Sequence, residues 1–523
     1  MAKKGRNIPA DGIDRSIDWV ITSIATIAAI AFAAVCFLYP EQSEKVLTDA
    51  FWVINNNTGF IWEAAMVGAV GICLWLCFGP LKDKRFGEDK PDLSNMKFYA
   101  MIFVFASSAS VVYWAFIEFF FYLEAPPFGA EPFGYDAMMW ASTYSSFHWG
   151  IVPFCGYALM GVAFAYFVFV QKKGTARVSA LCAGLIGDKA ANGLIGKLID
   201  AVFLIGIVIS TAGYSFGVSV PIVGTFLQYV TGIENTLNVQ IIIIAVVVVA
   251  CMIAMYTGLK KGMAAISTFR AYMFFVLAAF IVVASGNLFF ALNNAWESVG
   301  WQMQHFFQMN FYTEAQSGGN AWPQDWTIFF YIMMIAAMLS SGLYYAKLCK
   351  GRTVKQSVGA IVLASALGNA VFFWTIGNHT IATYLGDPEV FKAAMALDPY
   401  NAIKLAIDAV PFSQVVMVAF LIYAFISTWT FCQSAIFSMA MVSQPNIPTN
   451  EEPTKLNRMF WCIVTGVLAI AFLSIGGLQM VKNAIVWAGI PGLILCVMVV
   501  ISQWKDCRVR WLGKESKKKE IES

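Results

Sequence analysis

The chain has 523 residues, 59% of them hydrophobic and only 12% charged, with a mean hydropathy of +0.68. A soluble domain carries about twice that share of charge, so the composition excludes a string of soluble domains and points to one polytopic membrane domain. The net charge of +3 is too small to imply a nucleic-acid partner, and three His with eleven scattered Cys argue against a metal centre or a disulfide framework.

After a polar N-terminal tail (1–15), apolar runs follow at 16–39, 58–80, 97–124, 143–171, 194–217, 236–257, 265–293, 326–350, 355–385, 411–443, 456–477 and 481–503. The first is too long for a signal peptide. Twelve spans make one all-α transporter-sized domain over 16–503, followed by a basic tail at 504–523. The segment 294–325 reads as amphipathic and surface-lying, as does 389–409.

Lys and Arg cluster at 1–6, 82–90, 171–177, 259–262, 347–355, 455–458 and 505–519, all on one face of a twelve-span count. The opposite loops hold mostly Glu and Asp, with Lys392 and Lys404 as exceptions. The positive-inside rule then puts both termini in the cytoplasm. The C-terminal basic stretch either rests on anionic lipid or is solvated.

Small-residue patches interrupt three spans: ASSAS (106–110) in the third, STAGYSFG (210–217) in the fifth and SSG (340–342) in the eighth. Each either lets helices approach closely or marks backbone that unwinds to line a site. The spacing of the first and last suits inverted repeats over 97–293 and 326–503.

The fourth span carries His148, Trp149, Pro153, Phe154 and Tyr157 close together. Their spacing lets one helical face present the three rings. Those rings either pack against neighbouring helices or hold an organic cation through their quadrupoles. Two ionisable residues stand within spans, at a cost of at least about 2.5–3.5 kcal/mol each at mid-bilayer. Glu118, in WAFIEFFFY, is a structural acid or a charge for a ligand; Arg270, in ISTFRAYMFF, snorkels to an edge or serves a buried site. His379, in IGNHT, reads as structural. Walker loop and HExxH motifs are missing from the sequence, which argues against an enzyme or an ATP-driven pump and implies no cofactor.

FHWGIVPF (147–154), IEFFFYLEAPPFG (117–129), KGMAAISTFRAY (261–272), KGRTVKQ (350–356) and FISTWTFCQSA (425–435) closely resemble the betaine/carnitine/choline transporter family. The pattern is most similar to its carnitine/γ-butyrobetaine exchanger branch. The resemblance implies a LeuT-like five-plus-five inverted repeat behind two extra N-terminal helices, a homotrimer, and a substrate site between spans three, four, eight and ten. The family's aromatic box falls on Phe121, Trp149, Met333 and Met334, with Phe154 after the HWG motif and Tyr157 beyond it. Two methionines thus stand where the family has adjacent Trp.

That exchange removes strong cation–π partners, worth about 2 kcal/mol each when desolvated, and leaves polarizable, flexible walls. It points to a small methylated amine such as trimethylamine or its N-oxide, a sulfonium analogue, or a carnitine/γ-butyrobetaine-like zwitterion. Glu118 is then expected to supply charge that the missing indoles do not. Two sodium-binding Thr of the family's symporters fall on Val208 and Ala212, whereas Arg270 matches the Arg by which exchangers replace a cation. The remaining sodium position falls near Thr428 and Trp429, with Ser341 where exchangers have Met. No bound metal is expected, and substrate/counter-substrate exchange is favoured over sodium- or proton-coupled symport of a betaine-type solute. A non-transporting osmosensor scaffold is the competing class.

Overall fold

The computed structural model describes residues 14–107, 109–257, 260–447, 451–474 and 477–513. The expected basic cluster at 1–6, and the part of the one at 505–519 that follows residue 513, lie outside them. The described chain is helical almost throughout, and its β pairing among these residues is an isolated bridge between Arg85 and Thr353. All twelve predicted runs are helical. Among the described residues ten helices are long and apolar enough to cross a membrane, and the seventh run passes that test only jointly with the helix after it.

Boundaries differ where polar residues mask a helix. The second helix starts at Pro40, not 58, and runs to Phe78, because its polar first half still buries Leu47 and Phe51 every fourth residue. The fifth continues past 217 through a π-helical turn, Ser210–Phe216, into Gly217–Thr231. The last helix reaches Cys507 and continues as a turn at Arg508–Leu512, so the first half of the expected tail is helix. The seventh span ends at Ala284; Gly286, at φ 78°, lets the chain turn by 110° into the amphipathic helix Leu288–Asn310. Residues 288–293 therefore belong to the surface-type helix rather than to the span.

The three small-residue patches have three outcomes. The third span is broken into Asn95–Ala106 and Ala109–Glu124, and Ser107 is extended there, its hydroxyl bonding back to the Phe103 carbonyl at 2.9 Å. The fifth-span patch stays helical but widens. The eighth-span patch is continuous helix, where a Cβ on Gly342 would stand 2.7 Å from the Phe164 ring. Spans three and eight therefore do not break at matching depth.

Close approach of spans four and eight is built into the fold from both sides. A Cβ on Gly161 would lie 2.9 Å from the Cβ of Tyr345, an atom tied to the facing backbone. Gly161→Val is expected to cost about 1–3 kcal/mol by overpacking, read as a lower thermal midpoint in detergent.

The KGRTVKQ segment is a clamp between two loops. Arg352 donates to Asn95 Oδ1 at 2.8 Å and to the Leu93 carbonyl at 2.7 Å, and its guanidinium lies 3.8 Å from the centre of the Phe98 ring. Arg85 answers by donating to the Gly351 carbonyl at 2.9 Å.

Candidate functional site

A cavity of about 400 Å³ lies among spans three, four, five, six, eight and ten. Its inner wall comes from the fourth span, Ile151–Ala165 with the preceding turn, which presents Trp149, Phe154 and Tyr157. The rings of Phe154 and Tyr157 are 5.4 Å apart. Opposite them, the helix Phe329–Leu348 presents Met333 and Met334, and the Tyr157 hydroxyl donates to Met334 Sδ at 3.6 Å. The chain break at Ser107 brings Phe105 and Ser110 to the same space from the third span.

Hydroxyls are present but mostly committed. Ser341 and Thr428 both line the cavity, and each donates to a carbonyl of its own helix, at 2.9 Å to Ala337 and 2.8 Å to Ala424. Their lone pairs are left for a ligand. Along span eight the lining runs from Met333 to Lys347, so one end of the cavity lies at the end of the bundle that carries Lys347, Glu452 and Arg458. Arg458 pairs with Glu452 at 3.1 Å there, and Lys347 lies 5.2 Å from the centre of the Phe437 ring. The sequence shows these three only as charges that orient loops.

Four expected residues stand elsewhere. Phe121 is half-buried against Trp326, centroids 5.6 Å apart, and is not among the described residues lining the cavity. Glu118 is fully buried behind the wall, where Oε2 accepts from the Trp149 indole at 3.0 Å. Trp429 turns away from the lining, about 100° around its helix from Thr428. Arg270 is buried outside the cavity, donating to Thr430 Oγ1 at 2.9 Å across to span ten, with Tyr344 of span eight within electrostatic range.

Sequence reading also missed two buried ionisable groups. Glu63, in the second span, is buried, with Oε1 lacking a hydrogen-bond partner. Lys482, in the twelfth, reaches Asp325 at 2.8 Å and lies 4.4 Å from the centre of the Trp326 ring. Among the described residues no group of His, Cys, Asp and Glu is placed to hold a metal ion.

The sequence model of betaine/carnitine/choline family transporters matches residues 20–511. The chain belongs to that family. This betaine/carnitine/choline family member is also similar to a solved structure described as the substrate-bound outward-open state of a Na+-coupled sialic acid symporter. Identity is 15%, over 86% of this chain and 83% of that one, with a TM-score of 0.41. Family membership makes the chain a transporter in a membrane.

Proposed function

We propose that this transporter exchanges small methylated ammonium compounds across a bacterial inner membrane, one substrate against another, without a sodium or proton gradient. The reading covers trimethylamine, its N-oxide, a sulfonium analogue and short betaine-like zwitterions. In it the head group sits against Trp149, Phe154 and Tyr157 with the thioethers of Met333 and Met334 opposite, and a cavity of about 400 Å³ suits a ligand of that size. Ring quadrupoles and polarizable sulfur replace the lost hydration of the cation.

The observation that carries the exchange mechanism is the buried guanidinium of Arg270, hydrogen-bonded to Thr430 on span ten. A permanent cation held between moving spans does the structural work of a bound ion and does not dissociate. Val208 and Ala212, buried on span five, bring no side-chain oxygen to a sodium ion. The empty carrier then reorients slowly, and a counter-substrate is needed for return. Both termini in the cytoplasm and a homotrimer complete the reading.

The test is counterflow in proteoliposomes loaded with unlabelled substrate. Equal uptake of labelled trimethylammonium substrate with sodium, with potassium and with a collapsed proton gradient is expected. Uptake that rises at least tenfold with inward sodium would instead establish the symporter of a betaine-type solute.

A further inference from the structure

The indole of Trp149 is held from behind by a continuous chain of buried hydrogen bonds. Its N–H donates to Glu118 Oε2 at 3.0 Å, and the other carboxyl oxygen accepts from the Tyr122 hydroxyl at 2.7 Å. The Tyr122 oxygen meets His148 Nδ1 at 2.9 Å, and His148 Nε2 meets Thr327 Oγ1 at 3.0 Å. Glu118, Tyr122, His148 and Thr327 are all fully buried. Tyr122 and Glu118 lie one turn apart on span three, His148 directly precedes Trp149, and Thr327 stands in the π-helical turn that opens span eight.

The chain closes in either of two proton orders. With Glu118 ionised, Thr327 O–H donates to Nε2, Nδ1–H donates to Tyr122, and Tyr122 O–H donates to Oε1. With Glu118 protonated, its O–H donates to Tyr122, which donates to Nδ1, and Nε2–H donates to Thr327. In both orders Oε2 remains an acceptor for the indole, so the ring's position does not depend on the charge of the acid. Nor does Glu118 reach the ligand, since it stands behind the cavity wall.

We propose that Glu118, Tyr122, His148 and Thr327 are positioning residues that fix the Trp149 indole as a face of the substrate site and tie it to the opening turn of span eight. The role rests on the reading that Trp149 receives the methylated head group. It differs from the expectation that Glu118 offers its charge to the substrate. An indole free to rotate about two side-chain torsions presents its face only part of the time. A fixed one is preorganised, and affinity gains without a new ligand contact.

Kinetics and spectroscopy on the full-length transporter test it. Glu118→Gln keeps the arrangement, its carbonyl toward the indole and its amide toward Tyr122, and is expected to change KM less than threefold. Glu118→Leu is expected to raise KM at least tenfold, and Tyr122→Phe and Thr327→Val severalfold. In 19F spectra of protein carrying 5-fluorotryptophan, the Trp149 signal, identified by its loss in Trp149→Phe, moves and broadens in Glu118→Leu and stays in place in Glu118→Gln.

Three results would overturn the proposal. Glu118→Gln as damaged as Glu118→Leu would make the acid's charge the essential feature. Variants that lose only folded protein or maximal rate, with KM and the 19F signal unchanged, would reduce the chain to a structural one. A raised KM in Trp149→Leu beside an unchanged one in Glu118→Leu would leave the site reading intact and remove positioning. If Trp149→Leu itself leaves KM unchanged, the site reading fails, and the 19F signal still reports whether the chain holds the ring.

Discussion

Trp149→Leu is expected to weaken binding of a trimethylammonium ligand about thirtyfold or more, the equivalent of one desolvated cation–π contact of about 2 kcal/mol. The ring is buried at the cavity wall, edge-on to Phe330 at 5.5 Å and near-parallel to Phe373 at 6.4 Å, so its face cannot be supplied by a neighbour's small shift. With Met333 and Met334 opposite, no second indole stands among the described lining residues to make up the loss. Leu also leaves Glu118 Oε2 without its donor, so part of the damage falls on stability. Equilibrium binding of tetramethylammonium, set against the thermal midpoint of each variant, separates the two. Trp149→Phe keeps a ring and is expected to fall between wild type and Leu. Unchanged affinity in Trp149→Leu would place the head group elsewhere.

Removing the partners of the Lys482–Asp325 pair is expected to have unequal effects. Lys482 joins span twelve to the start of span eight, its side chain only 4% exposed, while that of Asp325 is 31% exposed. Asp325→Asn strands an ammonium among rings, with the centres of Trp326 and Phe329 at 4.4 and 4.9 Å, and is expected to cost about 3 kcal/mol. Those rings recover only a fraction of the loss, because cation–π attraction does not replace a counter-ion. Lys482→Met keeps the apolar stem and leaves a carboxylate that water can reach, at a cost of about 1 kcal/mol or less. Thermal unfolding of the two variants at one pH and ionic strength measures the difference; equal losses would refute the argument from burial.

The helical runs, the motif-bearing spans and seven of the cavity residues were legible because period, composition and resemblance carry them. Trp149, Phe154 and Tyr157 share a face by spacing alone, and resemblance placed Met333 and Met334 opposite. Phe121 and Glu118 were not legible in the same way. They follow the break at Ser107, which resets the helical phase of everything after it, so their facing cannot be counted from the first half of the span. Thr428 and Trp429 show the smaller version of this limit, since neighbours on a helix point about 100° apart and only Thr428 of this pair reaches the cavity. Glu63 and Lys482 went unread because each sits near the start of an apolar run, where a charge passes for an end marker. Their burial depends on what packs over them, which is tertiary information.

The two ends of the cavity are bordered by different chemistry, and that has a consequence for how each responds to the surrounding solution. Beyond Trp149 the way is filled by stacked rings, His148 on Phe330 at 4.6 Å and 11°, and Tyr122 edge-on to Trp326 at 4.8 Å. Parting such rings wets apolar area, at ~2.5 kcal/mol for every ~100 Å² uncovered. The opposite end is bordered by Glu452, Arg458 and Lys347, groups whose mutual attraction weakens as salt rises. Solutes that are excluded from protein surfaces, methylated amine oxides among them, strengthen apolar burial and so hold the ring-built door shut. One end of the cavity answers to ionic strength, and the other to solutes that protein surfaces exclude.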